Sequence, residues 1–84
     1  MKTYLGEKGL KKTWQKNFTK ETPCHKCGGN ARIMFVAHEE KEKDYVCNLR
    51  RNGGKGNYWV HDAIACAVYL CEDCFEATAE INQA

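Results

Sequence analysis

The sequence predicts a small α+β domain, built as an antiparallel β-hairpin or three-stranded sheet with a C-terminal helix. Three observations carry that prediction. Two Cys-x-x-Cys pairs, Cys24-His25-Lys26-Cys27 and Cys71-Glu72-Asp73-Cys74, bracket most of the 84-residue chain. Residues 31–38 alternate as a strand does, with Ile33, Phe35 and Ala37 on one face and Arg32, Met34, Val36 and His38 on the other. Near the end of the chain Leu70, Cys74, Ala77 and Ile81 recur at helical spacing, opposite Glu72, Glu76 and Glu80.

The elements follow in order. Residues 1–22 form a basic N-terminal segment with Lys2, Lys8, Lys11, Lys12, Lys16 and Lys20 against Glu7 and Glu21. Pro23, the only proline, closes it, because a residue before proline is pushed away from helix. The metal-binding domain is expected over 23–84. Cys27-Gly28-Gly29 supplies the glycine that a metal knuckle needs where the chain turns back. Glu39 to Asp44 reads as a charged turn and Tyr45 to Leu49 as a returning strand. Arg50 to Asn57 is rich in glycine and reads as a loop. Trp59 to Leu70 reads as a third strand, Ile64, Cys66, Val68 and Leu70 alternating with Ala63, Ala65 and Ala67, although so alanine-rich a stretch also suits a helix. In the terminal helix, Cys71 and Cys74 would occupy the first turn, where the helix dipole favours thiolates and the acids Glu72 and Asp73.

Four convergent thiolates are what a structural Zn²⁺ requires, since the ion prefers tetrahedral sulfur at about 2.3 Å and a two-residue spacer aims two sulfurs at one ion. Local disulfides or redox-active dithiols are the alternatives for such pairs. A chain of this size buries only about 60 to 65% of its unfolded surface, so a metal staple is expected. No apolar run near Met1 reads as a signal peptide and no stretch approaches membrane-spanning length, which points to a cytoplasmic protein with reduced cysteines. Four thiolates and one Zn²⁺ cancel the formal net charge of +2, so overall charge favours no particular partner.

A Cys-x-x-Cys-Gly knuckle, a hairpin, and a second Cys-x-x-Cys opening a terminal helix resembles the four-cysteine treble-clef zinc finger, or more distantly a zinc ribbon. The resemblance is one of architecture over residues 24–84, with an unusually long interval between the pairs. It implies that Cys24, Cys27, Cys71 and Cys74 bind one Zn²⁺ ion. A rubredoxin-like iron site is also made of two Cys-x-x-Cys knuckles, but both of its knuckles usually carry a following glycine, and Phe75 stands there in the second pair. Treble-clef nucleases add histidines near the helix. This helix has none, so His38, His61 and Asp62 are not expected to form a catalytic metal site. His25 is expected to point to solvent. Cys47 and Cys66 fall outside the metal spacing and read as small core residues, with a cross-sheet pairing, or Cys47 as a substitute ligand, as the sharper possibilities.

Four cysteines saturate zinc and leave it no open position, and no nucleophile and base pair is legible, so an enzyme is not expected. The first functional expectation is a structural zinc module acting as a protein-interaction adaptor, with the acidic helix face and Tyr58-Trp59 as candidate contacts. The second is a nucleic-acid-binding zinc finger using Lys11, Lys12 and Lys16, interleaved with Tyr4, Trp14 and Phe18, and the loop cations Arg50, Arg51 and Lys55. Leu10, Trp14 and Phe18 are also spaced as an apolar edge docked on the domain. A rubredoxin-like electron carrier is the third. No membrane and no small-molecule substrate is expected.

Overall fold

The computed structural model describes residues 2–39 and 64–83. Among them the chain forms β1 (Lys2–Leu5), a 3₁₀ turn (Gly6–Gly9), β2 (Glu21–Pro23), β3 (Asn30–His38), β4 (Ile64–Cys71) and β5 (Ala77–Gln83). All five strands make one antiparallel sheet in the order β1-β3-β4-β5, with β2 also on β3. β1 pairs with the second half of β3 and β2 with its first residues, so the two short strands share one edge.

The predicted α+β class is therefore wrong: the C-terminal helix expected from Leu70, Cys74, Ala77 and Ile81 is the strand β5. Pairing decides this. β5 lies against β4 in an unbroken register from Leu70↔Ala77 to Ile64↔Gln83, and that register sorts its side chains with a period of two. Thr78, Glu80 and Asn82 share the face of Ala65, Ala67 and Tyr69, while Ala77, Ala79 and Ile81 share that of Cys66, Val68 and Leu70. With the helix gone, so is the treble-clef architecture. The strand expected at 31–38 is β3, and its partner is β4, which covers 64–70 of the predicted third strand and ends one residue later at Cys71. The returning strand at 45–49, the loop at 50–57, most of the charged turn, and with them Cys47, Arg50, Arg51, Lys55, Tyr58, Trp59, His61 and Asp62, lie outside the described residues.

The main core cluster forms on one face of the sheet, and Ala37 and Ile64, on the other face by register, are buried as well. Ala31, Val36, Ala65, Ala67, Tyr69 and Cys71 point into the main cluster and meet Phe18 and Cys24, with Leu10, Ile33 and Cys74 at its edge. Residues 10–24 cross the face of the main cluster as a strap. The alanines of β4 let it come close, and Tyr69 fills the space and donates its hydroxyl hydrogen to the Thr19 carbonyl at 2.8 Å. Met34 falls between Ile33↔Tyr69 and Phe35↔Val68, a bulge that keeps both Ile33 and Val36 on the core side. The strap is fastened to β5 by side chains: Thr22 Oγ1 donates to Glu80 at 2.7 Å, the Trp14 amide to Asn82 Oδ1 at 3.2 Å, and Gln15 Nε2 to the Gln83 carbonyl at 2.7 Å.

Candidate metal centre

The first Cys-x-x-Cys pair is the turn between β2 and β3, and the second is the turn between β4 and β5. Since Ala31 pairs with Cys71, both turns sit at the same end of the sheet and face each other. Cys24 Sγ lies 3.7 Å from Cys74 Sγ and Cys27 Sγ lies 3.5 Å from Cys71 Sγ, and all four sulfurs are within 4.8 Å of one another. A tetrahedron of sulfurs around an ion with bonds of about 2.3 Å has edges of about 3.8 Å. The four sequence-predicted ligands thus form one set of the right size and chemistry for a thiophilic ion.

The two turns are built alike. Cys24 N–H donates to the Gly29 carbonyl at 2.8 Å, and Cys71 N–H to the Glu76 carbonyl at 2.9 Å. Gly28 N–H returns to the Cys24 carbonyl at 3.0 Å, and Phe75 N–H to the Cys71 carbonyl at 3.2 Å. Lys26 N–H donates to Cys24 Sγ at 3.4 Å, and Asp73 N–H to Cys71 Sγ at 3.4 Å. Gly29 N–H donates to Cys27 Sγ at 3.3 Å, and the Glu76 amide donates to Cys74. Even the backbone turn matches: Gly28 has φ +75° and Phe75 has φ 60°. Phenylalanine here adopts the left-handed conformation that glycine adopts in its twin, so the missing glycine does not make the second knuckle different.

Burial is paired too. Cys24 and Cys71 lie inside, Cys27 is exposed and Cys74 half-buried. The knuckles are tied by Lys26 to Glu76 at 3.0 Å, Arg32 to Glu72 at 3.6 Å and Asn30 Nδ2 to Glu72 at 3.4 Å. A Cβ at Gly29 would meet the Asp73 carboxylate of the second knuckle, which can swing aside, and would crowd Cys27 Sγ at 3.2 Å.

Electrostatics make the thiols unequal. The amides of Cys27 and then Lys26 stabilise the Cys24 thiolate and bring its pKa down to about 6. At Cys74 the Glu76 amide pulls the other way, but burial and the sulfurs of Cys27, Cys24 and Cys71 outweigh it and push the pKa up to about 12. Cys27 is also raised, with Cys71, burial and Cys24 outweighing the Gly29 amide. The Cys24 thiolate forms readily while Cys27 and Cys74 resist, and a bound cation would remove that resistance.

Of the other predicted residues, His25 points to solvent as expected. His38 is buried and stacks on Trp14 with ring centroids 4.6 Å apart. Phe18 is in the core, and the Lys12 and Lys2 ammonium groups lie 4.9 and 5.2 Å from the Tyr4 ring centroid. The rings expected to interleave with Lys11, Lys12 and Lys16 are therefore engaged within the protein. Sequence reasoning names Phe75 and Gly29 but not the left-handed conformation of the first or the crowding at the second, and it does not reach the sulfur-directed amides. Phe75 does stand at the same offset from Cys74 as Gly28 from Cys27, but residue type hides the likeness.

Among the described residues, fold and site together define an antiparallel β-sheet with two facing knuckles whose four cysteines are positioned to bind a metal ion. No family model, curated protein or solved structure matches the chain. No helix among the described residues is long and apolar enough to cross a membrane.

Proposed function

We propose that the protein is a structural zinc module that acts as a protein-interaction adaptor. Zinc is favoured by an all-sulfur donor set with no histidine, carboxylate or open position, which suits a structural ion. The observation that carries the adaptor role is the sheet face opposite the core. By register Leu5, Phe35, Val68, Leu70, Ala79 and Ile81 share it, and Leu5 is 68% and Ile81 57% exposed. Leu5, Leu70 and Ile81 are the exposed large apolar side chains of this face, with Phe35 and Val68 half-buried between them, and such side chains suit docking of another protein. Its partner is an apolar protein surface that also reaches β5, whose only strand partner among the described residues is β4.

The test is affinity capture from the source cells with zinc-loaded protein and with the Leu5→Lys, Ile81→Lys double variant. Equal zinc content and folding, with proteins retained by the first and lost by the second, is the expected result. Identical retention by both overturns the adaptor role. Salt-dependent retention of both on an oligonucleotide would move the reading to nucleic acid.

A further inference from the structure

We propose that β5 is the pairing edge of a homodimer: two copies join β5 to β5, antiparallel, about a two-fold axis at Ala79, so that the two sheets run on as one. This rests on the reading of β5 as an edge open to a partner, and it names that partner as a second copy of this chain.

The backbone of β5 offers the second copy its hydrogen bonds. Cys71 N–H donates to the Glu76 carbonyl at 2.9 Å, so the rungs that bond β4 to β5 fall at every second pair from there: Tyr69↔Thr78, Ala67↔Glu80 and Ala65↔Asn82. The N–H and C=O groups of Ala77, Ala79, Ile81 and Gln83 therefore point away from β4. Gln83 agrees, since its carbonyl accepts Gln15 Nε2 at 2.7 Å. Ala77, Ala79 and Ile81 are exposed, and their outward groups meet no partner among the described residues.

The two edges of the sheet differ. The other edge is blunted: β1 and β2 are four and three residues long and carry Lys2 and Pro23, devices by which natural sheets avoid pairing edge to edge. β5 is seven residues long, in unbroken register with β4, and has neither lysine nor proline. Its one charged residue, Glu80, is turned to the core face, where it accepts the Thr22 hydroxyl at 2.7 Å.

Side chains select the register. Self-pairing about Glu80 would set two carboxylates directly opposite, and pairing about Thr78 would set Glu76 opposite Glu80. Pairing about Ile81 would use the Gln83 backbone, whose carbonyl is already taken. Pairing about Ala79 avoids all three. It sets Ala77 opposite Ile81, Thr78 opposite Glu80, and Glu76 of the second copy opposite Asn82, beside the cation Lys16, which lines the hollow between the strap and β5. On the other face, the row Leu5, Phe35, Val68, Ala79 that crosses the sheet by register meets its own copy end to end at the axis. An edge of this length makes a small interface, so the dimer exchanges with monomer.

The experiment measures the mass of the zinc-loaded full chain by sedimentation equilibrium over a wide concentration range, with amide exchange alongside. Expected are a monomer–dimer equilibrium, and amides of Ala77, Ala79 and Ile81 that gain protection as the dimer forms and lose it on dilution. Ala79→Pro removes the amide at the axis and leaves the β4 ladder untouched, because that N–H points outward. It should weaken dimerisation about tenfold or more, with zinc content and the protection of β3 and β4 unchanged. Ala79→Glu brings two carboxylates together at the axis and should act alike, which keeps the test open if the proline variant does not fold. The proposal is overturned by a chain that stays monomeric at every concentration, by β5 amides protected independently of concentration, or by a dimer that Ala79→Glu leaves at full strength. A monomer leaves the adaptor reading standing, because capture of other proteins does not require the dimer; identical retention in the capture experiment removes the adaptor and leaves the dimer.

Discussion

Phe75 occupies a backbone conformation that costs a residue with a Cβ about 1–2 kcal/mol, while its ring, 74% exposed, has little contact to offset the strain. Glycine at this position removes the strain but frees the unfolded chain by about 0.5–1 kcal/mol. Phe75→Gly should therefore leave metal-loaded stability unchanged or raise it by up to about 1 kcal/mol in denaturant titration. A clear loss would show that the ring packs against something. Gly9 predicts the opposite sign. A Cβ there would meet Val36 Cβ and Cγ2 at 2.6 Å and Tyr4 Cβ at 3.1 Å, where the 3₁₀ turn lies on β3. Gly9→Ala should cost about 1–3 kcal/mol by overpacking, read from the same titration.

The cysteines set a pH dependence at the same scale. The folded metal-free state holds Cys24 below its ordinary value, so that contribution is present at higher pH and is lost as pH falls through about 6. It holds Cys74 above, a contribution present below the ordinary thiol pKa and lost as pH rises toward about 12. Cation binding must expel the protons of Cys27 and Cys74, both of which the fold raises. Apparent zinc affinity should fall about tenfold or more for each pH unit below neutrality, measured by competition with a chelator corrected for its own protonation.

At the scale of elements, the ligands and β3 were legible because each depends on local spacing: two-residue gaps between cysteines, and alternation over Ile33 to His38. β5 was not, because its residues carry two periods at once. Leu70, Cys74, Ala77 and Ile81 suit a helix, while Thr78, Glu80 and Asn82 alternate with Ala77, Ala79 and Ile81 as a strand does. Local propensity cannot choose between them; pairing with β4 does, through partners supplied by distant residues. β1 and β2 escaped notice for a related reason. They are four and three residues long, mostly exposed, and one ends in Pro23, so they exist only as edges of β3. Thr78 tests the strand. Its hydroxyl accepts the His25 amide at 3.1 Å from within the buried face, an arrangement that needs period-two placement beside Tyr69. Thr78→Val leaves that amide without its acceptor and should cost about 1–3 kcal/mol, whereas on an exposed helix face it would cost next to nothing.

For the molecule as a whole, an ion held by the four cysteines would close what the sheet leaves open. The strap of residues 10–24 reaches β3 through β2, and the first knuckle joins its end to the turn between β4 and β5, across the full sequence interval between the cysteine pairs. Without a cation, the cluster at the end of the core, next to Ala31 and Tyr69, includes two thiols, Cys27 and Cys74, that the fold keeps from ionising. Among the described residues the large buried apolar side chains apart from the cysteines are Phe18, Val36, Tyr69 and Ile64, and the alanines of β4 contribute little apolar area. A structural zinc contributes about 10 kcal/mol or more, the size of a whole domain's net stability. Removal of the ion by a strong chelator under reducing conditions should therefore abolish the cooperative unfolding transition and the amide protection of β3 and β4 together, with recovery when zinc is restored. Cys71→Ser should reproduce the loss without a chelator. Survival of the full set of protected amides in metal-free protein would mean that the strap and sheet hold each other unaided, and that the four cysteines serve the ion rather than the fold.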